Sequence, residues 1–135
     1  MTYAGDPNTE HQVWSRWTFE VRECVRTVPH KEVELNAARW LRKGFGSVGK
    51  ARVARTVTGW RIEAIVEGAP VQEPAYVAHV AQEFQQRFVE PGFGTLATSK
   101  VKAELLAGED PAGRAWAQWV EMPAIIEGEI HGGRL

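Results

Sequence analysis

Residues 50–68, KARVARTVTGWRIEAIVEG, decide the fold. Val53 and Val57 alternate with Arg52 and Thr56, and Trp60, Ile62 and Ala64 alternate with Arg61 and Glu63. A period of two places one set of side chains on a buried face and the other on a wetter face, the mark of a β-strand. Thr58-Gly59 between the two runs supplies a tight turn, so the stretch reads as an antiparallel β-hairpin.

Upstream, Trp17, Phe19, Val21 and Val25 alternate with Thr18, Glu20, Arg22 and Cys24, which predicts a first strand between Trp14 and Val28. Glu23 falls on the apolar side, so a bulge or the strand's end is expected there. Pro29 fits the first turn of a helix, where its missing N–H costs nothing, and Glu32 and Glu34 complement the helix dipole. In HKEVELNAARWLRKGFG (30–46), Val33, Ala37, Trp40, Leu41 and Phe45 share one face. Gly44 and Gly46 then end the helix.

Downstream of the hairpin, GAPVQEP (68–74) reads as a loop and Pro74 opens a second helix, with Val77, Val80, Ala81, Phe84 and Phe88 on one stripe. Pro91-Gly92 is expected to stop it. In SKVKAELLAG (99–108), Val101, Ala103 and Leu105 alternate with Lys100, Lys102 and Glu104, another strand. The order βαββαβ predicts an α+β, ferredoxin-like sandwich with two helices on one face of an antiparallel sheet. After a turn at GEDPAG (108–113), RAWAQWVEM (114–122) is expected to add a fifth strand, the competing option being a short helix capped by Asp110 and starting at Pro111.

A chain of 135 residues with 44% hydrophobic and 24% charged residues suits one globular core. The domain is expected over residues 13–130, with a mobile tail at 1–12 and a short one at 131–135. A formal charge of -1 gives no global field for nucleic acid or anionic membrane. Cys24 is the single cysteine, and the opening MTYAGDPNTEHQ is polar where a signal peptide needs an apolar stretch. A cytoplasmic protein with no membrane span is expected.

Gly44 to Ala51, GFGSVGKA, imitates the dinucleotide fingerprint and the phosphate-binding loop. Both motifs need a strand before the glycines and a helix after them, so that phosphate meets a helix N-terminus. Here a helix ends and a strand begins, and the dipole turns its negative end to the loop. Lys43 to Val48 also echo an RNA-binding signature, but Ser47 occupies a position where that signature stacks an aromatic ring on a base. His11, His30, His79 and His131 show no metal-ligand spacing, and Ser15, Ser47, Ser99 and Cys24 have no visible activating partner. No catalytic residue, metal or cofactor is expected.

Two surfaces remain as candidates. The outward sheet face carries Arg16, Arg22, Arg52, Arg61, Lys100 and Lys102 against Glu20, Glu63 and Glu104, either a phosphate-binding platform or a face laced with cross-strand ion pairs. The six tryptophans stand at 14, 17, 40, 60, 116 and 119. On strands, Trp14 lies opposite Trp17 and Trp116 opposite Trp119, so one of each pair leaves the core. Exposed tryptophans are favoured interface anchors. Trp14, Trp116, Trp119, Met122 and Ile125 are therefore the candidate partner-binding residues of a non-enzymatic interaction module, a homo-oligomer or a subunit of a larger complex. Nucleic-acid or anion binding through Arg22, Arg52, Arg61, Lys100 and Lys102 is the alternative, and a small metal-free enzyme with a pocket between sheet and helices the third.

Overall fold

The computed structural model describes residues 14–23, 27–46, 48–68, 71, 73–106 and 119–124. They form an α+β fold, an antiparallel five-stranded sheet with helices on one of its faces. Strand β1 (Trp14–Arg22) is followed by helix α1 (His30–Phe45), the hairpin of β2 (Val48–Arg55) and β3 (Gly59–Glu67), and helix α2 (Pro74–Phe84). Helix α2 continues through a π-helical turn, Gln85–Val89, into the short α3 (Glu90–Phe93), before β4 (Thr98–Leu105) and β5 (Trp119–Met122). The sheet order is β2-β3-β1-β4-β5, so β1 is central and each helical connection crosses over a neighbouring strand.

The period-two patterns hold. Trp17, Phe19 and Val21 of β1, Trp60, Ile62, Ala64 and Val66 of β3, and Val101 and Ala103 of β4 all point to the buried face. Phe19 meets Trp40 of α1 and Phe84 of α2 with ring centroids 5.5 and 4.7 Å apart, and Trp17 meets Phe45 and Tyr76. Both helices therefore lie on the same side of the sheet. The apolar stripes close the core from above, with Val33, Ala37 and Leu41 buried from α1 and Val77, Val80, Ala81 and Phe84 from α2. Within it, the Ser15 hydroxyl donates to the Val66 carbonyl and accepts from the Trp17 indole N–H at 3.0 Å, which leaves neither polar group stranded.

Helix α1 ends as the glycines foretold. Gly46 has φ 84°, and its N–H reaches back to the Arg42 carbonyl at 3.0 Å. Strand β1 stops at Arg22, where Glu23 turns to φ 61° and its N–H bonds the Thr58 carbonyl.

Three local expectations need correction. The hairpin turn is centred one residue earlier, on Val57-Thr58, since the Thr56 N–H bonds the Gly59 carbonyl at 2.9 Å. Val57 is fully exposed at the tip rather than a strand residue facing inward. Pro91-Gly92 does not stop the second helix. Proline lacks an N–H, and in an α-helix its ring would strike the carbonyl four residues back, here Arg87. The π turn ahead of it widens the spiral, with the Glu90 N–H bonding Gln85, five residues back, and the helix runs on to Phe93. Gly94, at φ 113°, ends it.

Candidate functional site

The sheet face opposite the helices collects the side chains that alternate with the core. Strand register places Glu20 of β1 opposite Arg61 of β3 and Lys100 of β4, Arg16 opposite Glu104, and Glu63 opposite Arg52. Each of these pairings becomes an ion pair. Arg61 Nη2 lies 2.7 Å from Glu20 Oε2, and Lys100 Nζ lies 3.9 Å from the other oxygen of the same carboxylate. Glu104 is held between Arg16 at 4.0 Å and Lys102 at 3.8 Å, and Arg52 bonds Glu63. The arginines are open to solvent, Arg52 by 74% and Arg16 and Arg61 by 47% each, while Glu20 and Lys100 are more covered. At such exposure each pair stabilises the fold by only about 0–1 kcal/mol. Its chemical effect is larger, because a phosphate reaching Arg61 or Arg52 has to displace a carboxylate already bound. Arg22, the fifth residue of the basic set, stands exposed at the end of β1.

The same face carries two tryptophans. Trp119 of β5 lies opposite Lys102, with the Lys100 and Lys102 ammonium groups 4.8 and 5.9 Å from its ring centroid. Such contacts orient the ring without covering it, and Trp119 remains 38% exposed. Trp14 alternates with inward Ser15 and so also faces away from the helices. A Cβ on Gly49 would lie 2.9 Å from Trp14 Cζ3, so the indole rests on that glycine and is half-buried. Met122 does not join them. It pairs with Ser99 on the helix side and packs against the core. Trp116 and Ile125 lie outside the described residues.

The remaining tryptophans serve the other side. Trp17 and Trp60 are buried, the latter flanked by the Arg55 guanidinium at 5.1 Å and the His30 ring at 5.3 Å. Trp40 lines a groove of about 830 Å³ between α1 and the second helix, whose walls include Phe45, Tyr76, Phe88 and Phe93. Burial raises the Tyr76 phenol above its ordinary pKa, so its hydroxyl stays protonated through the physiological range. His79, exposed, stands on the groove's rim. The third reading, a small enzyme, placed its pocket between sheet and helices, whereas this groove lies between the helices.

Two features escaped sequence reasoning. One is that groove, which depends on how far the helices stand apart. The other is fully buried Gln85, whose amide accepts from the Ser99 hydroxyl at 2.6 Å and donates to the Ala97 carbonyl at 2.9 Å and to Glu90 at 3.1 Å. Its signal was present, since Gln85 falls four and eight residues after Ala81 and Val77 on the apolar stripe. Among the described residues no group of three or more His, Cys, Asp or Glu side chains could hold a metal ion, and no helix is long and apolar enough to cross a membrane. No family model, curated protein or solved structure matches the chain.

Proposed function

We propose that the chain is a non-enzymatic interaction module that pairs with a second copy of itself through the helix-free sheet face. The observation that carries this reading is Trp119, a large ring held outward on that face by two lysines and still accessible. Trp14 on the same face adds a second anchor. Buried tryptophans dominate interface energetics because they remove a large rigid area from water with little entropy lost.

A second copy suits the surface better than a strongly charged partner does. Cations and carboxylates interleave across the face, so carboxylates of one copy can meet cations of the other, and the whole chain carries a formal charge of only -1. A two-fold interface requires only that one patch complement itself. The strand order, with both helices on one face, supports reading the domain as the ferredoxin-like plan extended by β5, and among the described residues no helix covers the sheet's other face. Phosphate binding by Arg52, Arg61, Lys100 and Lys102 is less well supported, as each already faces a carboxylate or a ring.

Size-exclusion chromatography with light scattering over rising concentration tests the proposal. A dimer is expected, and Trp119→Ala should weaken it about 30-fold or more, the effect of losing a hot spot of about 2 kcal/mol. A strict monomer at high concentration, or a dimer indifferent to Trp119→Ala, overturns it.

A further inference from the structure

The interhelical groove lies on the far side of the molecule from the proposed dimer face, and nothing in that reading uses it. Its long axis follows two helices running in opposite directions. Phe45 at the end of α1 and Tyr76 at the start of α2 both touch Trp17, while His30 and Phe93 meet at Trp60 at the other end. At about 830 Å³ the groove falls within the range of roughly 300–1,000 Å³ typical of small-molecule sites.

Aromatic rings form its walls, and its charges are sorted along its length. Lys43 and His79 stand at the Phe45–Tyr76 end with Arg39 next along α1, and Glu32 stands at the opposite end. Arg87 is neutralised by Glu83 at 2.7 Å. Arg39 donates to the neutral Asn36 amide oxygen, and among the described residues neither it nor Lys43 forms an ion pair with a carboxylate. On the sheet face Lys100, Lys102, Arg16, Arg52 and Arg61 lie against carboxylates. In the groove, Arg39 and Lys43 stand without such pairing among the described residues, beside apolar rings.

We propose that this groove binds a small organic anion with an aromatic body, its rings against Trp40 and Phe88 and its acid group toward Lys43 and Arg39. The Trp40 and Phe88 ring centroids lie 6.2 Å apart at a tilt of 54°, so each ring offers a separate contact to a planar ligand. A charge-assisted bond to Lys43 fixes which way round the ligand lies.

The probes are 8-anilinonaphthalene-1-sulfonate and its uncharged relative N-phenyl-1-naphthylamine, titrated into the full chain and followed by fluorescence and by amide and indole NMR shifts. Saturable one-to-one sulfonate binding is expected, with shifts at the Trp40 indole and Phe88. Arg39→Gln combined with Lys43→Gln should weaken the sulfonate about tenfold, near the size of one charge-assisted contact, and leave the neutral probe unchanged. Asn36→Trp, at a half-buried rim position, should block both probes. The proposal is overturned by sulfonate affinity indifferent to the double substitution, by shifts confined to the sheet face around Thr18 and Lys102, or by no saturable binding. Light scattering on the same samples keeps the two readings separate, because a blocked groove leaves the sheet-face dimer intact.

Discussion

Gly59 and Gly49 show how differently two glycines in neighbouring strands constrain the chain. A Cβ on Gly59 would fall 1.9 Å from the Val21 carbonyl oxygen, a backbone atom of the central strand that cannot yield without moving the sheet. Gly59→Ala is expected to lower stability by about 2–4 kcal/mol in urea unfolding. At Gly49 the nearest atom is the far edge of the Trp14 ring, which can swing aside. Gly49→Ala should therefore shift stability by less than about 1 kcal/mol while altering tryptophan fluorescence. Tyr76 gives a third test at this scale. Its folded-state pKa lies above the unfolded value, so its stabilising contribution is complete below about pH 10 and fades as pH rises through the folded value. Between pH 8 and pH 11 the wild type should lose more stability than Tyr76→Phe, measured as urea midpoints at each pH. Of these three residues, the sequence marked Gly49 as part of the glycine-rich stretch 44–51 and Gly59 as a turn glycine. Its steric role depends on which strand lies across from it, information that a local pattern does not contain.

At the scale of elements, legibility followed the distance over which each pattern is decided. The alternation of Trp17, Phe19 and Val21 and the 3.6-residue stripe of Val33, Ala37 and Leu41 are local consequences of one buried face, and they were readable. The end of the second helix was not, because proline is a stop signal only if the spiral keeps its α pitch. The π turn removes that condition, and Gln85, already on the apolar stripe, is buried at its start with Phe88 and Val89. Buried Gln85 then ties the helix to β4 through Ser99 and to the following loop through Ala97. Gln85→Leu would leave the Ser99 hydroxyl and the Ala97 carbonyl buried without this partner, each worth about 1–3 kcal/mol when stranded. A loss of about 2–4 kcal/mol is expected in denaturant unfolding. Ser99→Ala on that background should cost little more, since its partner is already gone. Additive losses would show that the two side chains do not act together.

For the whole molecule, the difference between an assembly surface and a phosphate platform lies in how charge is compensated. The sequence put Arg52, Arg61, Glu20 and Glu63 on one face, yet residue types alone could not tell whether Arg52 and Arg61 were free or already matched. Pairing is a property of register, fixed only when β3 settles between β2 and β1 with Glu63 facing Arg52 and Glu20 facing Arg61. A face with most of its cations already against carboxylates has few condensed counterions to exchange, and its association should rest on the burial of Trp119 and Trp14. Raising salt from about 0.05 to about 0.5 M is therefore expected to change the dimer dissociation constant by less than about threefold. A protein neutralising six or more phosphates would lose orders of magnitude in affinity over a comparable range. Sedimentation equilibrium at the two salt concentrations, with a generic oligonucleotide titrated in parallel, separates the cases. A steep loss of self-association with salt would assign the interface to the charges rather than to the tryptophans, and Trp119→Ala would then leave that slope unchanged.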